Sequence, residues 1–401
     1  MSDRVLTVIN WLLQEGRNLR DVAAVTGGYS EHLVAAGVPL WRATCHLPKL
    51  HPEAFGAATV WRSDAEAVEL VPVTFDVADS PRYHRNPISV VHKTRAPFRG
   101  QPSDPEQRAQ WPLFEDLAAF GATEYWLTPI PLERRIVATV SYATLAPGGF
   151  SDADLATITA TLPALASVME VFMLRTTIDD LLDVYLGREA RSRILSGQIK
   201  LGAGDLVQAV VLMADMRDFS IHMETLDRAV LRDLLQGYFR SLVGAVVDHG
   251  GDVLKFMGDG LLAFFPTRAQ ETPAAVATRA LGAAQAAQAR LAAFNRDQLA
   301  NQAPQAEFGI ALHVGDMFLG NIGAFERQDF TVMGPAVNRA ARIESLCRPL
   351  DQPLLLSADF VAQVPDTPVV DLGQHTLKGV GTQTVYAPAI SVAPAASARS
   401  D

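Results

Sequence analysis

Two aspartates next to short apolar runs are the residues of this chain whose surroundings most favour metal and phosphate chemistry. Asp259 lies in Gly-Asp-Gly between two apolar runs of the segment 252–265, which predicts a β-hairpin. Asp215 follows the apolar run 207–213, a predicted buried strand, and precedes a helical pattern. Carboxylates are hard oxygen ligands, and a helix start offers free N–H groups to phosphate. A lone Gly-Asp-Gly is more often only a turn, so the hypothesis of two divalent ions at a phosphorus centre depends on both aspartates.

A third stretch, 330–344, adds a helix that carries an amide and a guanidinium. Pro335 directly after Gly334 fits the first turn of a helix, and Asn338 and Arg342 are then four residues apart on one helix face. These two groups suit a ribose oxygen and a phosphate. Taken alone, the same pattern also fits a solvated helix face.

Together, these stretches resemble the catalytic domain of class III nucleotidyl cyclases over about residues 206–388. The resemblance rests on five motifs in family order: A-D-M-R-D-F-S, G-G-D-V-L-K-F-M-G-D-G-L-L-A-F-F, L-G-N-I-G, T-V-M-G-P-A-V-N-R-A-A-R-I-E and L-K-G-V. It implies a ferredoxin-like antiparallel sheet with helices on one face. It also implies a dimer whose active sites lie at the interface.

The resemblance assigns roles residue by residue. Asp215 and Asp259 match the metal-binding aspartates, which implies two Mg²⁺ or Mn²⁺ ions per site. Asn338 and Arg342 match the pair that orients the ribose and stabilises charge on the α-phosphate. Lys378, in the last motif, matches the lysine that holds the polyphosphate.

Two further positions match the residues that recognise the base. Lys255 can donate to the unprotonated N1 of adenine, whereas guanine carries a hydrogen there. Thr331 can accept from the adenine amino group but can also donate. Guanylate cyclases resemble this site with an acidic and a small residue instead, so ATP is the expected substrate. Phe219 and Ser220, at the predicted helix start, are assigned to substrate binding.

Threonine at the second position resembles the class IIIb branch, which makes a response to bicarbonate a hypothesis. Two positions depart from the family pattern: Asp218 stands where glycine is more frequent, and Pro335 where aspartate is more frequent. His313, within a predicted strand, is interpreted as a structural histidine rather than a base.

Composition limits the class of protein. A chain of 401 residues with 49% hydrophobic residues has enough apolar material for about two to three domains. A net charge of −10 argues against non-specific nucleic-acid binding. The two cysteines, Cys45 and Cys347, exclude a disulfide framework and a Cys-rich zinc site. Without a signal-peptide pattern or an uninterrupted apolar run of spanning length, we expect a cytoplasmic protein with no transmembrane segment.

Residues 1–150 are predicted to form a separate domain. A helical start, three strands, a Pro-rich stretch (76–110), and two strands joined near Glu133 resemble a GAF domain, with PAS as the alternative. Such a domain implies an unknown small-molecule ligand. Five aromatic residues are candidates for its pocket, although core packing is the commoner role of such residues; they are Trp41, Trp61, Trp111, Tyr125 and Trp126. Haem is not favoured, because no C-x-x-C-H is present.

Residues 151–200 are predicted to connect the two domains. Ser151 and Asp154 form a plausible capping box, and apolar residues from Leu155 to Phe172 recur at spacings of three and four. The seam fits either a dimer stalk, with a kink at Pro163, or one helix packed on its own domain. A second helix is expected over 178–195, and the tail 389–401 is expected to be disordered.

The predicted fold class is therefore α+β: a GAF-like α/β sandwich, a helical linker, and a ferredoxin-like class III cyclase domain over 201–388. The predicted function is a homodimeric adenylate cyclase that converts ATP to 3′,5′-cyclic AMP and pyrophosphate, regulated by residues 1–150. Two alternatives stay open. One is a guanylate or mixed-specificity cyclase, and the other is a catalytically idle, cyclase-like dimeric ligand receptor.

Overall fold

The computed structural model describes residues 2–132, 137–268 and 270–389. By their internal contacts these residues form two units, Met1–Leu181 and Leu182–Asp401. The boundary lies inside the segment 151–200 that is predicted to be a connector. The predicted turn near Glu133 and all but the first residue of the predicted tail lie outside the described residues.

The first unit is a six-stranded antiparallel sheet with helices packed on both faces. Its strands lie in the order β3-β2-β1-β6-β5-β4. In chain order its elements are α1 (Asp3–Gln14), a 3₁₀ turn (Gly16–Asn18), α2 (Val22–Ala35), β1 (Arg42–Pro48), β2 (Gly56–Arg62), β3 (Glu69–Val73), α3 (Phe75–Ala78), α4 (Pro81–His84), α5 (Pro87–Thr94), β4 (Phe98–Gly100), α6 (Pro105–Gln110), α7 (Pro112–Ala119), β5 (Glu124–Pro129), β6 (Thr139–Thr144) and α8 (Asp152–Leu186).

Alternation along the strands assigns each side chain to one face of this sheet. Cys45 and Tyr142 contribute to a core with α1, α2 and α8. On the opposite face, Tyr125 and Leu127 form a second core with α5 and α7. The sheet is therefore covered on both sides, as the predicted sandwich requires.

The Pro-rich stretch 76–110 is more ordered than predicted. It contains short helices and the three-residue strand β4. Pro81, Pro87 and Pro105 each begin a helix, at the position where the missing N–H has no helical partner in any case. Three prolines of this stretch are therefore helix starts.

The long helix α8 packs on its own unit. The predicted capping box is confirmed, because the Asp154 N–H donates to Ser151 Oγ at 3.2 Å and the Ser151 N–H donates to Asp154 Oδ2 at 2.9 Å. The predicted seam is buried in the first core, and its residues are Ile158, Leu162, Leu165, Met169 and Phe172. This part of the helix is therefore packed on its own domain, which is the alternative that the sequence analysis gave to a dimer stalk. The helix also continues through Pro163 instead of ending there.

Among the described helices, α8 alone is long and apolar enough to cross a membrane by length and composition. Half of its apolar stretch is buried inside the protein, which is the behaviour of a core helix. The sequence analysis found no apolar run long enough to span a bilayer, whereas α8 meets that test by length and composition.

The second unit contains an eight-stranded sheet in the order β13-β14-β12-β10-β7-β9-β8, with β11 paired to β10. Its strand pairs are antiparallel except β10–β12. In chain order its elements are α9 (Arg188–Leu195), β7 (Gly204–Met216), α10 (Phe219–Thr225), α11 (Arg228–Asp248), β8 (Asp252–Met257), β9 (Gly260–Pro266), α12 (Pro273–Ala300), β10 (Phe308–Gly323), β11 (Gln328–Met333), α13 (Pro335–Glu344), β12 (Leu354–Ser357), α14 (Ala358–Val361), β13 (Val369–Leu377) and β14 (Gly381–Pro388).

The central strand β7 is buried on both faces, as its continuous apolar run predicts. Val210 and Leu212 face α11 and α12, whereas Val211 and Met213 face α9 and α13. The family resemblance implied helices on one face only. The structure differs because the small residues Ala336 and Ala340 let α13 pack on the other face.

The helix predicted over 178–195 is divided at Gly187, whose φ of 89° suits glycine. The helix that follows, α9, begins with a cap supplied by a distant strand. The Arg188 N–H donates to Asp252 Oδ1 at 3.2 Å, and the Glu189 N–H donates to Asp252 Oδ2 at 2.7 Å. Asp252 is buried and is the first residue of β8. The start of α9 is therefore fixed to the predicted hairpin.

Candidate active site

Asp215 and Asp259 lie side by side at the end of β7 and in the β8–β9 turn. Antiparallel pairing of β7 with β9 places Ala214 opposite Leu261 and brings the two carboxylates together. A Cβ on Gly260 would lie 3.1 Å from Asp215 Oδ1, so the glycine leaves room for the carboxylate. Burial, together with the charge and hydrogen bond of Asp259, raises the pKa of Asp215 to about 6.

The chemistry of this pair fits a divalent cation. Asp215 is exposed, and the groups that shift its pKa include no Lys or Arg. Two repelling carboxylates that lack a cationic partner are hard ligands, and water and substrate phosphate can supply the remaining oxygens of Mg²⁺ or Mn²⁺. Within the described ranges, no group of three or more His, Cys, Asp or Glu forms a complete protein-only metal cage.

Glu344, the last residue of α13, is a third carboxylate near this pair and had no role in the sequence analysis. A Cβ on Gly309 would lie 2.7 Å from Glu344 Oε1, and Gly309 pairs directly with Asp215 across the strands. Burial and then the Asp215 charge raise the pKa of Glu344 to about 7, while Arg217 opposes the shift. The sequence offered one signal, because Glu344 is the last residue of the motif T-V-M-G-P-A-V-N-R-A-A-R-I-E.

Tyr238, on α11, is a second residue that sequence reasoning missed. Its side chain is fully buried, and its hydroxyl has no hydrogen-bond partner among the described residues. Burial raises the pKa of Tyr238, and the charges of Asp215, Asp259 and Glu344 add to the rise. The hydroxyl is therefore close enough to this carboxylate group to sense its charge.

Arg217 fixes the loop after α13 to the end of β7. Its guanidinium donates to the carbonyl oxygens of Cys347 at 3.2 Å and Gln352 at 3.1 Å. It also forms ion pairs with Asp351 at 3.4 Å and Glu307 at 3.6 Å. These contacts position the C-terminal end of α13 beside Asp215.

The two proposed base-recognising residues lie on β8 and β11, and a third side chain joins them. Lys255 Nζ donates to Asp329 Oδ2 at 2.7 Å. Asp329 is two residues before the buried Thr331, so both side chains point to one face of β11. Asp329 was not predicted, because its contact with Lys255 depends on how the hairpin of β10 and β11 approaches β8.

Asn338 and Arg342 lie on the exposed face of α13, as their spacing predicts. Gly334, at φ 144°, precedes the helix, and Pro335 occupies its first turn. Ala336, Ala340 and Ile343 are on the buried face. The helix therefore holds the amide and the guanidinium out toward solvent.

Phe219 and Ser220 begin α10, next to the end of β7. Phe219 packs partly against the core, whereas Ser220 is exposed. Asp218 has a left-handed φ of 56°, which explains why glycine suits this position and why aspartate is tolerated. Its carboxylate accepts a hydrogen bond from Arg348 at 2.7 Å.

Lys378 lies apart from the other predicted site residues of its own chain. It is exposed in the turn between β13 and β14, at one edge of the sheet, whereas Asp259 is in the turn between β8 and β9 at the other edge. Five strand spacings separate the two turns, roughly 20 Å or more.

His313 is bonded within the protein, as predicted for a structural histidine. Its Nδ1 lies 2.8 Å from Ser357 Oγ, and burial lowers its pKa to about 4.

The structure thus places predicted residues in three groups: the aspartate pair, the pair on β8 and β11, and the pair on α13.

No family model matches the chain. The chain is 32% identical over 197 residues to the uncharacterized protein Rv1319c of Mycobacterium tuberculosis, covering 48% of this chain and 34% of the relative. It is 30% identical over 184 residues to Adenylate cyclase 1 of Rhizobium meliloti, covering 46% of this chain and 27% of the relative.

Solved structures similar to the chain include the adenylyl cyclase CyaB from P. aeruginosa, with 25% identity and a TM-score of 0.44, covering 47% of this chain and 97% of that one. The guanylyl cyclase Cya2 is 28% identical with a TM-score of 0.40, covering 46% of this chain and 91% of that one. The chain spans about a third or less of the curated relatives it matches. It is similar to adenylyl and guanylyl cyclases over about half its length.

Proposed function

We propose that this chain is an adenylate cyclase that converts ATP to 3′,5′-cyclic AMP and pyrophosphate. The observation that carries the proposal is the juxtaposition of Asp215 and Asp259, which have no cationic partner among the residues that the structure describes. The 30% identity to Adenylate cyclase 1 of Rhizobium meliloti supports it. So does the β-α-β-β-α-β order from β7 to β10, which is the order expected of a ferredoxin-like arrangement.

In the reaction, the ribose 3′-oxygen forms a bond to the α-phosphorus while the bond to the pyrophosphate oxygen breaks. Two divalent ions held by Asp215 and Asp259 would supply Lewis acidity at the 3′-hydroxyl and at the triphosphate. Asn338 orients the ribose, and Arg342 places a fixed positive charge where negative charge develops on the α-phosphate. Lys378 binds the departing pyrophosphate. Ser220 and the Phe219 backbone are proposed to contact the phosphates.

Adenine is the proposed base because Lys255 offers a donor to N1. Asp329 holds this ammonium by its 2.7 Å contact, which orients the donor. Thr331 is buried beside it and offers a hydroxyl to the adenine amino group.

We propose that the protein acts as a homodimer, and the position of Lys378 supports this. Since one chain holds Lys378 and Asp259 at opposite edges of its sheet, one triphosphate can contact both only if a second chain supplies one of them. We assign Asp215 and Asp259 to one chain of each site. The other chain then supplies Lys255, Thr331, Asn338, Arg342 and Lys378.

The first unit is proposed to be a GAF-like sensor that shifts the balance between open and closed catalytic dimers. A cytoplasmic location, where ATP and Mg²⁺ are available, is part of the proposal. A bicarbonate response is a further prediction, and comparing rates in bicarbonate and chloride at fixed pH tests it.

One observation favours a second candidate, a guanylate or mixed-specificity cyclase. The Asp329 carboxylate lies beside Thr331, and a carboxylate can accept the N1–H that guanine carries and adenine lacks. If Lys255 turned away, the same place would suit guanine.

The test is to incubate purified full-length protein with ATP or GTP and with Mg²⁺ or Mn²⁺, and to identify the cyclic products by mass. We expect cyclic AMP that disappears in Asp215→Ala. Predominant cyclic GMP would establish the second candidate. No product from either the full chain or a fragment of the second unit, residues 182–401, would favour the idle receptor.

A further inference from the structure

One face of the first unit's sheet contains buried polar groups that have no hydrogen-bond partner among the described residues. The hydroxyls of Thr44 on β1 and Thr139 on β6 are 1% and 0% exposed. Neither hydroxyl has a hydrogen-bond partner among the residues that the structure describes. Leaving a buried hydroxyl unsatisfied destabilises a fold, so several such hydroxyls in one place indicate that something else bonds to them.

The unpaired groups lie together. Thr44 pairs with Ser141 on the neighbouring strand β6. His46, two residues after Thr44 on β1, pairs with Thr139 of β6. Strand alternation therefore places both threonines and His46 on the face covered by α5. From α5, His92 keeps its Nδ1 2.8 Å from Tyr83 Oη, while its Nε2 is buried without a partner among the described residues.

The same face carries a positive charge that cannot be removed by deprotonation. Arg42 is two residues before Thr44 on β1 and faces the same side. In the described part of the chain it forms no ion pair with a carboxylate, although Glu69 and Asp116 act on it from a greater distance. Burial lowers the pKa of Arg42, but a guanidinium stays charged in proteins. The fixed charge therefore lacks a close counterion.

His46 lies close enough to Arg42 and His92 to sense their charges. Burial lowers its pKa to about 3, and the neighbouring Arg42 and His92 lower it further. Part of His46 nevertheless remains accessible to water. A ligand from solvent can therefore reach this side chain.

We propose that the first unit binds a small organic oxyanion, a carboxylate or a phosphate, whose charged group pairs with Arg42 and whose remaining oxygens bond to Thr44, Thr139, His46 and His92. A guanidinium with flanking neutral donors is the arrangement that recognises such groups. The proposal deepens the sensor role by naming its ligand class. Because its test measures binding and not cyclic nucleotide formation, its failure is distinguishable from failure of the cyclase proposal.

The experiment titrates the full-length protein with sodium phosphate and, separately, with sodium benzoate by isothermal calorimetry at fixed pH and ionic strength, with sodium chloride as the blank. We expect saturable binding of at least one of the two anions, and the arm that binds identifies a phosphate or a carboxylate ligand. Arg42→Met is expected to weaken binding about tenfold or more, as loss of a charge-assisted contact does.

Arg20→Met is the matched control. Arg20 is exposed at the start of α2, on the other side of the sheet, and is paired with Asp21 at 2.7 Å. Its removal should leave the Kd within about twofold, as expected for a surface ion pair. If phosphate bound in the second unit instead, its Kd would be the same in Arg42→Met as in the wild-type protein. An unchanged Kd in Arg42→Met, or no saturable heat from either anion with the wild-type protein, overturns the proposal.

Thr139→Val keeps the test decisive if Arg42→Met fails to fold. Valine has nearly the shape of threonine and removes the unpaired hydroxyl, so the ligand-free protein should gain thermal stability while the anion binds several-fold more weakly. Greater stability with unchanged binding would mean that the hydroxyl bonds only to water, and the proposal would fail.

Discussion

The two units each hold like charges close together, but in opposite settings. In the second unit, Asp215 and Asp259 are two negative groups at a strand end and a turn, and Asp215 is exposed to solvent. In the first unit, Arg42 and His46 on β1 and His92 on α5 are basic groups between the sheet and that helix, where burial lowers the pKa of all three.

The difference lies in how each group of charges can be neutralised. A carboxylate pair of which Asp215 is exposed and Asp259 is half-buried can exchange a hydrated cation and its phosphate ligand quickly, which suits a substrate that is replaced at every turnover. In the enclosed basic group the two histidines become neutral, and Arg42 alone retains its charge. Such a site suits a ligand that stays bound and reports its presence.

The largest expected effect comes from removing one charge of the carboxylate pair. Asp215→Asn should reduce cyclic AMP formation by about 10³-fold or more, because metal ions contribute several kcal/mol to such reactions. Asp205→Asn, at the other end of β7, is the matched control and should stay within about twofold. A loss of less than tenfold in Asp215→Asn would contradict the metal assignment.

The same variant has a pH signature in the metal-free protein. Since the pKa of Asp215 is raised from 3.8 to about 6, the folded protein retains a proton that the unfolded chain has released. Stability should therefore fall as pH rises from about 4 to about 6. Thermal unfolding of Asp215→Asn should lack this fall.

A smaller effect is expected from the supporting carboxylate. Glu344→Gln should weaken Mn²⁺ binding about 10- to 100-fold, as loss of an outer group near a metal does. In the metal-free protein it should also remove the fall in stability between about pH 4.5 and 7 that a pKa raised to about 7 produces. Calorimetric titration with Mn²⁺ checks the first effect, with the exposed Glu326→Gln as control. Equal Mn²⁺ affinity in both variants would show that Glu344 does not contribute to metal binding.

Releasing Lys255 should have a still smaller effect. Asp329→Asn removes a partly exposed ion pair worth about 0–1 kcal/mol, so kcat/KM for ATP should fall by up to about fivefold. The measurement compares ATP and GTP in the same preparation. A larger fall for GTP than for ATP would show that Asp329 recognises guanine and would favour the second candidate function.

The smallest effect compares the two faces of the first sheet. On the α2 side the buried hydroxyls are paired, since Thr26 Oγ1 donates to the Val22 carbonyl at 2.8 Å and lies 2.7 Å from Thr59 Oγ1. Thr26→Val should therefore lower the free energy of unfolding by about 1 kcal/mol, whereas Thr44→Val should leave it unchanged or raise it. Denaturant unfolding monitored in the first unit checks both, and equal losses would mean that the two faces do not differ.

The sequence predicted the elements of the second unit well because their patterns are local. The hairpin around Asp259, the strand before Asp215 and the helix that carries Asn338 and Arg342 each depend on periodicity and turn residues within about fifteen positions. The proximity of the two aspartates was inferred from the family motifs, and the pairing of β7 with β9 produces it.

What the sequence did not predict depends on contacts between distant segments. Glu344 lies near Asp215 because glycine at 309 leaves space across the strands, and Asp329 meets Lys255 because β11 folds back along β10. Similarly, the apolar spacing of α8 fits a partner helix and a domain core equally well. The sequence cannot predict the unpaired threonines, because threonine is common in strands and only the folded structure shows whether its hydroxyl is hydrogen-bonded.

The cap that Asp252 provides to α9 has a consequence for the order in which this region can form. A helix of eight residues is unstable in isolation, and two of its first N–H groups are satisfied by a side chain 63 or 64 positions away. The helix can therefore persist only while the β8–β9 hairpin is folded. By reciprocity, whatever steadies that hairpin, a cation at Asp259 included, slows amide hydrogen exchange in α9, and whatever unwinds α9 loosens the turn that carries the aspartate.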